Sequence, residues 1–296
     1  MKNNQNNLLL FLISVISAST CVSQTAPVTA ADNSIIISGM IMEKGSSQSL
    51  AYVSIGIPDK SLGTVADSTG HFTMIIQKEN LTDSLLISLV GYESRKVSIS
   101  EFVANNNHII ELSRKYYELQ EIVIGNKQQM VSEVAGRKSD GRTLQFSFID
   151  KNAKANCLGS EIGMKIKPGK VPAILQDFNW NFSGNNLASI KFRVNVYSLK
   201  NNLPDTLLSR SEIYTTVTNS KTGWNKVDLT AYHITVNSDF VISLEWVENS
   251  VNENEKPKVL LPGGISFSNT SYFRLASQDK WRKGSVIISF NVTLLH

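Results

Sequence analysis

Apolar and polar residues alternate with a period of two along most of this chain. Between residues 34 and 113, such runs recur about every ten residues and are separated by turn signals such as Asp67-Ser68-Thr69-Gly70. The run after this turn places Phe72, Met74 and Ile76 on one face. Successive side chains of a strand point to opposite faces, so the pattern predicts half-buried strands. The spacing is typical of a β-sandwich, and ordered structure is expected to begin near Ser34.

A second series of strand-like runs extends from residue 143 to residue 296. One face of these runs is apolar and the other carries Ser, Asn and Thr, which predicts a two-layer core. Longer strands and connections than in the first series favour a larger, jelly-roll-like sandwich. Residues 125–142 are rich in Lys, Gln, Ser and Gly and are predicted to be a linker. The expected fold class is therefore all-β, with two β-sandwich domains at residues 34–124 and 143–296. The clearest alternating runs are Phe240, Ile242, Leu244 and Trp246, and then Val286, Ile288, Phe290, Val292 and Leu294.

Several motifs of the first series occur together in a known domain. They are Ile37-Ser38-Gly39, Ala51-Tyr52-Val53-Ser54-Ile55, Leu62-Gly63-Thr64-Val65-Ala66-Asp67 with Gly70-His71-Phe72, and Val90-Gly91-Tyr92. With these motifs, residues 34–124 resemble the carboxypeptidase-regulatory-like domain, which also precedes the plug of many TonB-dependent outer-membrane receptors. The resemblance implies a transthyretin-like sandwich of about seven strands with structural or docking roles. The second half is loosely similar to sandwich segments of unassigned bacterial envelope proteins, through Gly223-Trp224 and Val227-Asp228-Leu229.

The first residues have the pattern of an export signal. Lys2 supplies a positive charge, residues 8–16 are apolar, and small residues follow. Cleavage after Ser23 makes residues 1–23 a signal peptide; the alternative is a lipoprotein signal with a lipid anchor on Cys21. Later segments fall short of the roughly 20 apolar residues of a membrane span, so none is expected after cleavage. We expect a protein of the periplasm, outer membrane or cell surface of a Gram-negative bacterium.

Charge and cysteine content exclude one class of partner and one kind of crosslink. The formal charge of +4 comes from 29 basic and 25 acidic side chains spread along the chain, without a Lys/Arg-rich block. Nucleic acid is therefore not an expected partner. If Cys21 leaves with the signal, Cys157 is the one remaining cysteine, and an intrachain disulfide is excluded. Cys157 lacks a neighbouring basic residue and is interpreted as a small buried thiol.

Catalytic signatures are absent from the sequence. It contains no Gly-x-Ser-x-Gly elbow, phosphate-binding Gly-x-x-x-x-Gly-Lys loop or Gly-x-Gly-x-x-Gly turn. His108 and Glu111 have the spacing of a zinc carboxypeptidase pair, but residues three apart in a strand point to opposite faces. His71 is interpreted as a solvated turn residue. We expect no enzyme activity, cofactor or metal, with a metallohydrolase as the remaining alternative.

Acidic side chains offer two further alternatives. Glu161, Asp177 and Glu245 are candidates for glycoside hydrolysis only because they are acidic. The polar loop 249–258 suits either a solvated hairpin tip or a calcium ion.

Tryptophans suggest a ligand-binding surface in the second half. Trp180 and Trp246 fall on the apolar face and are predicted to be core residues. Trp224 and Trp281 are the candidates for exposed contacts to a sugar ring. Trp281, with Arg282 beside it in the polar connection 278–283, is the best exposed candidate. The leading hypothesis is a non-catalytic structural or protein-interaction module of the cell envelope. The alternative is a carbohydrate-binding accessory protein with a glycan site in its C-terminal sandwich, so the expected partner is an envelope protein or a glycan.

Overall fold

The computed structural model describes residues 33–105, 108–115, 130–148, 157–250, 258–266 and 270–296. In this part of the chain, Ser34–His296 belong to one compact unit. The predicted signal, with Cys21, lies outside the described residues, and so does most of the loop considered for calcium. No helix among the described residues is long and apolar enough to cross a membrane.

Short antiparallel strands form the first sandwich, as the alternation predicted. Within the described residues, one sheet has the order β4-β1-β7 and the other has the order β3-β2-β5-β6. Strand β7 runs parallel to β1, and the other pairs are antiparallel. The predicted β-sandwich fold is confirmed. The strand bounds are β1 Ser34–Glu43, β2 Ser54–Gly56, β3 Gly63–Val65, β4 His71–Gln77, β5 Ser84–Ser88, β6 Arg95–Ser98 and β7 Ile109–Leu112.

The core of the first sandwich lies between these two sheets. In β4 every second residue is buried, so Phe72, Met74 and Ile76 face inward as predicted. After β6, Ile99 begins the helix α1 (Ile99–Ala104). The Ser98 hydroxyl accepts a hydrogen bond from the Glu101 amide, which is the N-cap arrangement that starts a helix. A 3₁₀-helix at Lys78–Thr82 connects β4 to β5.

Longer strands form the second sandwich. The bounds of the first eight are β8 Ser132–Gly136, β9 Leu144–Ser147, β10 Glu161–Ile166, β11 Ala173–Phe182, β12 Gly184–Asn185, β13 Ser189–Lys200, β14 Leu203–Leu207 and β15 Tyr214–Thr218. The remainder are β16 Gly223–Asp228, β17 Thr235–Val236, β18 Phe240–Ser250, β19 Val259–Ile265, β20 Ser271–Arg274, β21 Arg282–Gly284, β22 Val286–Ile288 and β23 Phe290–Leu295. A 3₁₀-helix at Thr230–Tyr232 separates β16 from β17.

These strands form two layers around one core. In the described part, the first layer is a seven-stranded sheet with the order β14-β13-β18-β10-β20-β21, with β15 also paired to β13. The second layer combines a five-stranded sheet, β16-β11-β23-β8 with β17, and a four-stranded sheet, β12-β19-β22 with β9. The Ser183 amide, directly after β11, donates a hydrogen bond of 2.8 Å to the Leu260 carbonyl of β19 and so links these two sheets. Trp180 and Trp246 are fully buried in the shared core, as predicted.

Part of the predicted linker is a strand. Strand β8 lies inside residues 125–142 and pairs antiparallel with β23, with Ala135 opposite Val292. An edge strand that buries one small side chain shows little apolar–polar alternation, so its polar composition indicated a linker instead. Gly136 ends the strand with φ +104°, and a Cβ there would approach the Phe290 carbonyl oxygen to 2.5 Å. This position therefore needs glycine.

The two sandwiches pack directly against each other. Gly56 and Gly63, in β2 and β3, approach the carbonyl oxygen of Ser277 so closely that a Cβ on either would collide with it. The Asp59 amide donates a hydrogen bond of 3.1 Å to the Gln278 carbonyl. Tyr52 and Val65 of the first sandwich share a small apolar cluster with Val247 of the second. Strands β2 and β3 therefore cover part of the outer face of the seven-stranded sheet.

Candidate functional site

The outer face of the five-stranded sheet carries a tryptophan among polar side chains. In the strand register, Trp224 on β16 is opposite Asn181 on β11, and Lys226 is opposite Asn179. On the other side of β11, Asn179 is opposite Asn291 of β23. We call this surface the Trp224 face, and define it as Trp224, Lys226, Asp177, Asn179, Asn291 and Thr293.

The Trp224 face is a shallow depression with one accessible ring. Its volume is about 330 Å³, and Val134 and Lys138 complete its lining. The Trp224 side chain is 37% exposed, whereas the inward neighbours Phe178 and Trp180 are fully buried. Strand alternation explains this difference, since beyond the β-bulge between Leu175 and Asp177 the odd positions of β11 face outward and the even positions face the core.

Hydrogen bonds fix the polar groups of the Trp224 face. The Asn179 amide donates to Asp177 Oδ1 at 2.6 Å and to Asn291 Oδ1 at 3.2 Å. The Thr293 hydroxyl donates to Asp177 Oδ1 at 2.9 Å, and Lys226 Nζ lies 2.9 Å from Asp177 Oδ2. The hydrogen bond and the charge of Asp177 raise the pKa of Lys226 above its usual value, so this side chain is a cation at neutral pH. The polar groups around the ring are therefore held in place before any ligand arrives.

This arrangement suits stacking and hydrogen bonding to a neutral polyol. An exposed indole offers a flat apolar surface, and amide, hydroxyl and ammonium groups around it supply directional bonds. Hydrolysis of a glycoside by the usual route needs a second carboxylate beside Asp177. Asp228 is directly opposite Asp177 in the register, but its Oδ1 accepts bonds from the Thr230 amide and hydroxyl at 2.9 and 2.7 Å. These bonds hold the Asp228 carboxylate at the turn that follows β16 and lower its pKa.

The other predicted contact residues, Trp281 and Arg282, lie on the opposite layer. The Trp281 ring packs edge-on against Tyr197 with ring centroids 5.6 Å apart, and the Arg274 guanidinium lies 5.1 Å from its centre. Arg282 is ion-paired with Asp279 at 2.6 Å and donates to the Ser61 hydroxyl at 3.1 Å. Both residues therefore adjoin the boundary between the sandwiches and are separate from Trp224. A ligand-binding role for them stays a prediction.

His296 Nε2 lies 2.7 Å from Glu133 Oε2, whereas the two histidines considered in the sequence lie elsewhere. His71 and His108 line one shallow depression of the first sandwich with Met40 and Thr73, and no acidic side chain contributes to its lining. His71 Nδ1 is 3.0 Å from the Thr69 hydroxyl, and the His108 ring stacks on Phe102 with centroids 5.0 Å apart. The described residues contain no group of three or more His, Cys, Asp or Glu side chains that could hold a metal ion.

A buried network of charges, which the alternating pattern did not predict, lies where the sandwiches meet. Arg193 Nη1 is 2.9 Å from both Glu245 Oε2 and the Ser54 hydroxyl, and Arg193 Nε is 2.5 Å from Glu212 Oε2. Arg193 Nη2 also donates to the Tyr52 carbonyl. Burial alone would lower the pKa of Arg193, but the charges of Glu212 and Glu245 offset it and raise the pKa well above its usual value. Arg193 therefore stays charged and links the first sandwich to the second.

The network continues along the seven-stranded sheet. Glu161 accepts a hydrogen bond of 2.9 Å from Asn195 and one of 2.7 Å from Arg274 Nε, and it also accepts from the Ser243 hydroxyl. Burial would raise the pKa of Glu245, but the charges of Arg193 and Arg274 lower it. Two acidic residues considered for hydrolysis, Glu161 and Glu245, are thus paired inside the molecule, away from Asp177. The buried thiol predicted for Cys157 is confirmed.

A known domain family matches the first sandwich, which carries the motifs described from the sequence. Residues 37–124 match the CarboxypepD_reg-like domain. The match confirms the predicted resemblance; it begins within β1 and extends past β7. It ends before β8, so the Trp224 face lies outside the CarboxypepD_reg-like domain.

Solved structures give only distant similarity. The chain is 10% identical to a clostridial cysteine protease, Cwp84, after propeptide cleavage, with a TM-score of 0.38 over 55% of this chain and 40% of that one. It is also 10% identical to the cysteine protease and lectin-like domains of Cwp84, a surface-layer-associated protein of Clostridium difficile. There the TM-score is 0.38, over 79% of this chain and 45% of that one. The chain thus spans less than half of either structure. No curated protein sequence matches it significantly.

Proposed function

We propose that this chain is a non-catalytic, exported protein of the cell envelope that binds carbohydrate on the Trp224 face. The observation that carries the proposal is the exposed Trp224 ring beside polar groups that are already fixed by bonds to Asp177 and Asn291. Fixed groups lose little conformational entropy when a ligand binds, which favours recognition of a flexible polyol. The sequence pattern of residues 1–23 supports export.

A glycan array with the purified chain tests this proposal. Wild type is expected to give reproducible signals on a set of related glycans, and Trp224→Ala is expected to abolish them because the stacking surface is removed. Trp281→Ala is the matched control, since it deletes a tryptophan of the same sandwich that packs against Tyr197 and Arg274. Absence of any wild-type signal, or equal loss in both variants, contradicts the proposal.

Protein interaction through the first sandwich is the second candidate function. Ile36 and Ile75 are directly opposite each other on the outer face of the β4-β1-β7 sheet and are 70% and 62% exposed. Large exposed aliphatic pairs are uncommon on a surface that meets only water. Native pull-downs from envelope extracts, with wild type and Ile75→Ser side by side, test this role. A specific partner should be recovered by wild type and lost from the variant; recovery of none counts against it.

A further inference from the structure

A cavity opens between the two layers of the second sandwich, away from the Trp224 face. Its volume is about 450 Å³. The seven-stranded sheet contributes Ile162 from β10 and Phe273 from β20, whereas the second layer contributes Phe148, after β9, and Val286 from β22. The cavity therefore marks a place where side chains of the two layers fail to meet.

This cavity continues the apolar core toward the surface. Phe148 and Ile162 belong to the core and are 7% and 8% exposed, while Phe273 packs against it from a half-buried position. Protein cores rarely leave voids larger than a water molecule, so a space of this size exceeds ordinary packing defects. Its volume is within the range of small-molecule sites, and an apolar wall gives water few hydrogen bonds.

Glu161 and Arg274 also line the cavity, but they alternate with the inward Ile162 and Phe273 in the strand register. Their charged groups therefore lie on the outer face of the seven-stranded sheet. There, Arg274 directs Nε and Nη2 to Glu161 at 2.7 and 2.5 Å, and its guanidinium lies 5.1 Å from the centre of the Trp281 ring. An anion inside the cavity would lose its hydration without gaining a cation as partner.

From this geometry we infer that the cavity binds a small, neutral, apolar molecule. This molecule lies among Phe148, Ile162, Phe273 and Val286. This site is independent of carbohydrate binding, because its residues are on different strands from those of the Trp224 face.

Fluorescence titration with the neutral dye N-phenyl-1-naphthylamine tests the inference on the purified chain. We expect saturable binding to one site, with displacement by 1-decanol at a concentration at least about tenfold lower than by decanoate. Val286→Phe fills the cavity and should weaken dye binding at least about tenfold. Leu275→Glu, on the exposed rim of the cavity, should also weaken dye binding, and it does not alter the core. This variant replaces Val286→Phe in the test if Val286→Phe does not fold.

Two controls separate this site from other surfaces. Ile75→Phe changes a 62% exposed residue of the first sandwich, outside the cavity, and it should bind the dye as wild type does. Trp224→Ala should also leave dye binding unchanged, so failure of one site is distinguishable from failure of the other. The inference is overturned if dye binding is not saturable, if both cavity variants bind like wild type, or if decanoate displaces the dye better than 1-decanol.

Discussion

Arg193 and Glu245 form a buried ion pair across neighbouring strands, with Nη1 and Oε2 2.9 Å apart and the Ser54 hydroxyl bonded to both side chains. Ser54 belongs to the first sandwich, and the pair belongs to the second. The Arg193 and Glu245 side chains are only 5% and 1% exposed. The first sandwich thus acts as a polar cover for charges on the outer face of the seven-stranded sheet. Without this cover, the same face would be open to water.

Replacement of Arg193 is expected to destabilise the whole unit. Arg193→Leu leaves Glu245 and Glu212 without their shared cation, and removal of one partner of a buried pair typically costs about 3–5 kcal/mol. Denaturant unfolding measures the change. Lys60→Ala is the control, because Lys60 pairs with Asp83 at the surface with 44% of its side chain exposed, and such pairs contribute about 1 kcal/mol or less. Similar losses in both variants would contradict a buried network.

Acid is expected to weaken the contact between the sandwiches through Glu245. Its pKa in the folded protein is below the ordinary value of 4.5, so the unfolded chain binds more protons at acidic pH. The stability that Glu245 contributes is therefore present above pH 4.5 and is lost as the pH falls through the folded pKa. Glu245→Gln should be less stable than wild type at pH 7. Between pH 5 and pH 3 it should lose less stability than wild type does, because Gln does not titrate, whereas Glu245 of the unfolded chain titrates at about 4.5. Parallel pH profiles from urea unfolding would contradict the assignment.

The sequence predicted the sheets better than it predicted the site. Alternation identified buried faces such as Phe72, Met74 and Ile76, because a strand that buries one side has an apolar residue at every second position of its sequence. Trp224 was one of two candidate tryptophans, but the polar run around Trp281 favoured that residue, whereas the more exposed ring is that of Trp224. The neighbours of Trp224 were not predicted, since Asp177, Asn179 and Asn291 become adjacent only through the strand register.

Buried polar residues explain the rest of the difference. Arg193, Asn195 and Glu245 occupy the polar phase of β13 and β18, where alternation predicts contact with water. They are buried because the first sandwich covers part of that face, and the pattern within one strand carries no information about packing by another domain. Strand β8 was not predicted from the sequence for a related reason. Its one buried side chain is Ala135, so its composition resembles that of a linker.

Close backbone contact should make Gly56 sensitive to a single methyl group. The Cβ of Gly56→Ala would collide with the Ser277 carbonyl oxygen, and backbone yields less readily than a side chain. We expect a loss of about 1–3 kcal/mol in the free energy of unfolding, typical of overpacking. Gly184→Ala is the control, since its nearest neighbour is the flexible Leu260 side chain at 3.2 Å. If Gly56→Ala is as stable as Gly184→Ala, the sandwiches are not held together at Ser277.

Removal of the Asn179 side chain should weaken glycan binding on the Trp224 face without lowering the stability of the fold. This side chain bridges Asp177 and Asn291 at 2.6 and 3.2 Å from a half-buried position, so Asn179→Ala deletes one group that faces the ligand and releases two others. Because hydrogen bonds at partly exposed sites contribute about 0.5–1.5 kcal/mol, glycan affinity should fall roughly three- to tenfold while the midpoint of thermal unfolding changes little.

Isothermal titration with the glycan that gives the strongest array signal measures the affinity. Thr216→Ala, on an exposed position of β15 in the other layer, should leave affinity unchanged. Equal affinities for Asn179→Ala and wild type would place the ligand away from this face, because Asn179 lies at its centre between Lys226 and Asn291.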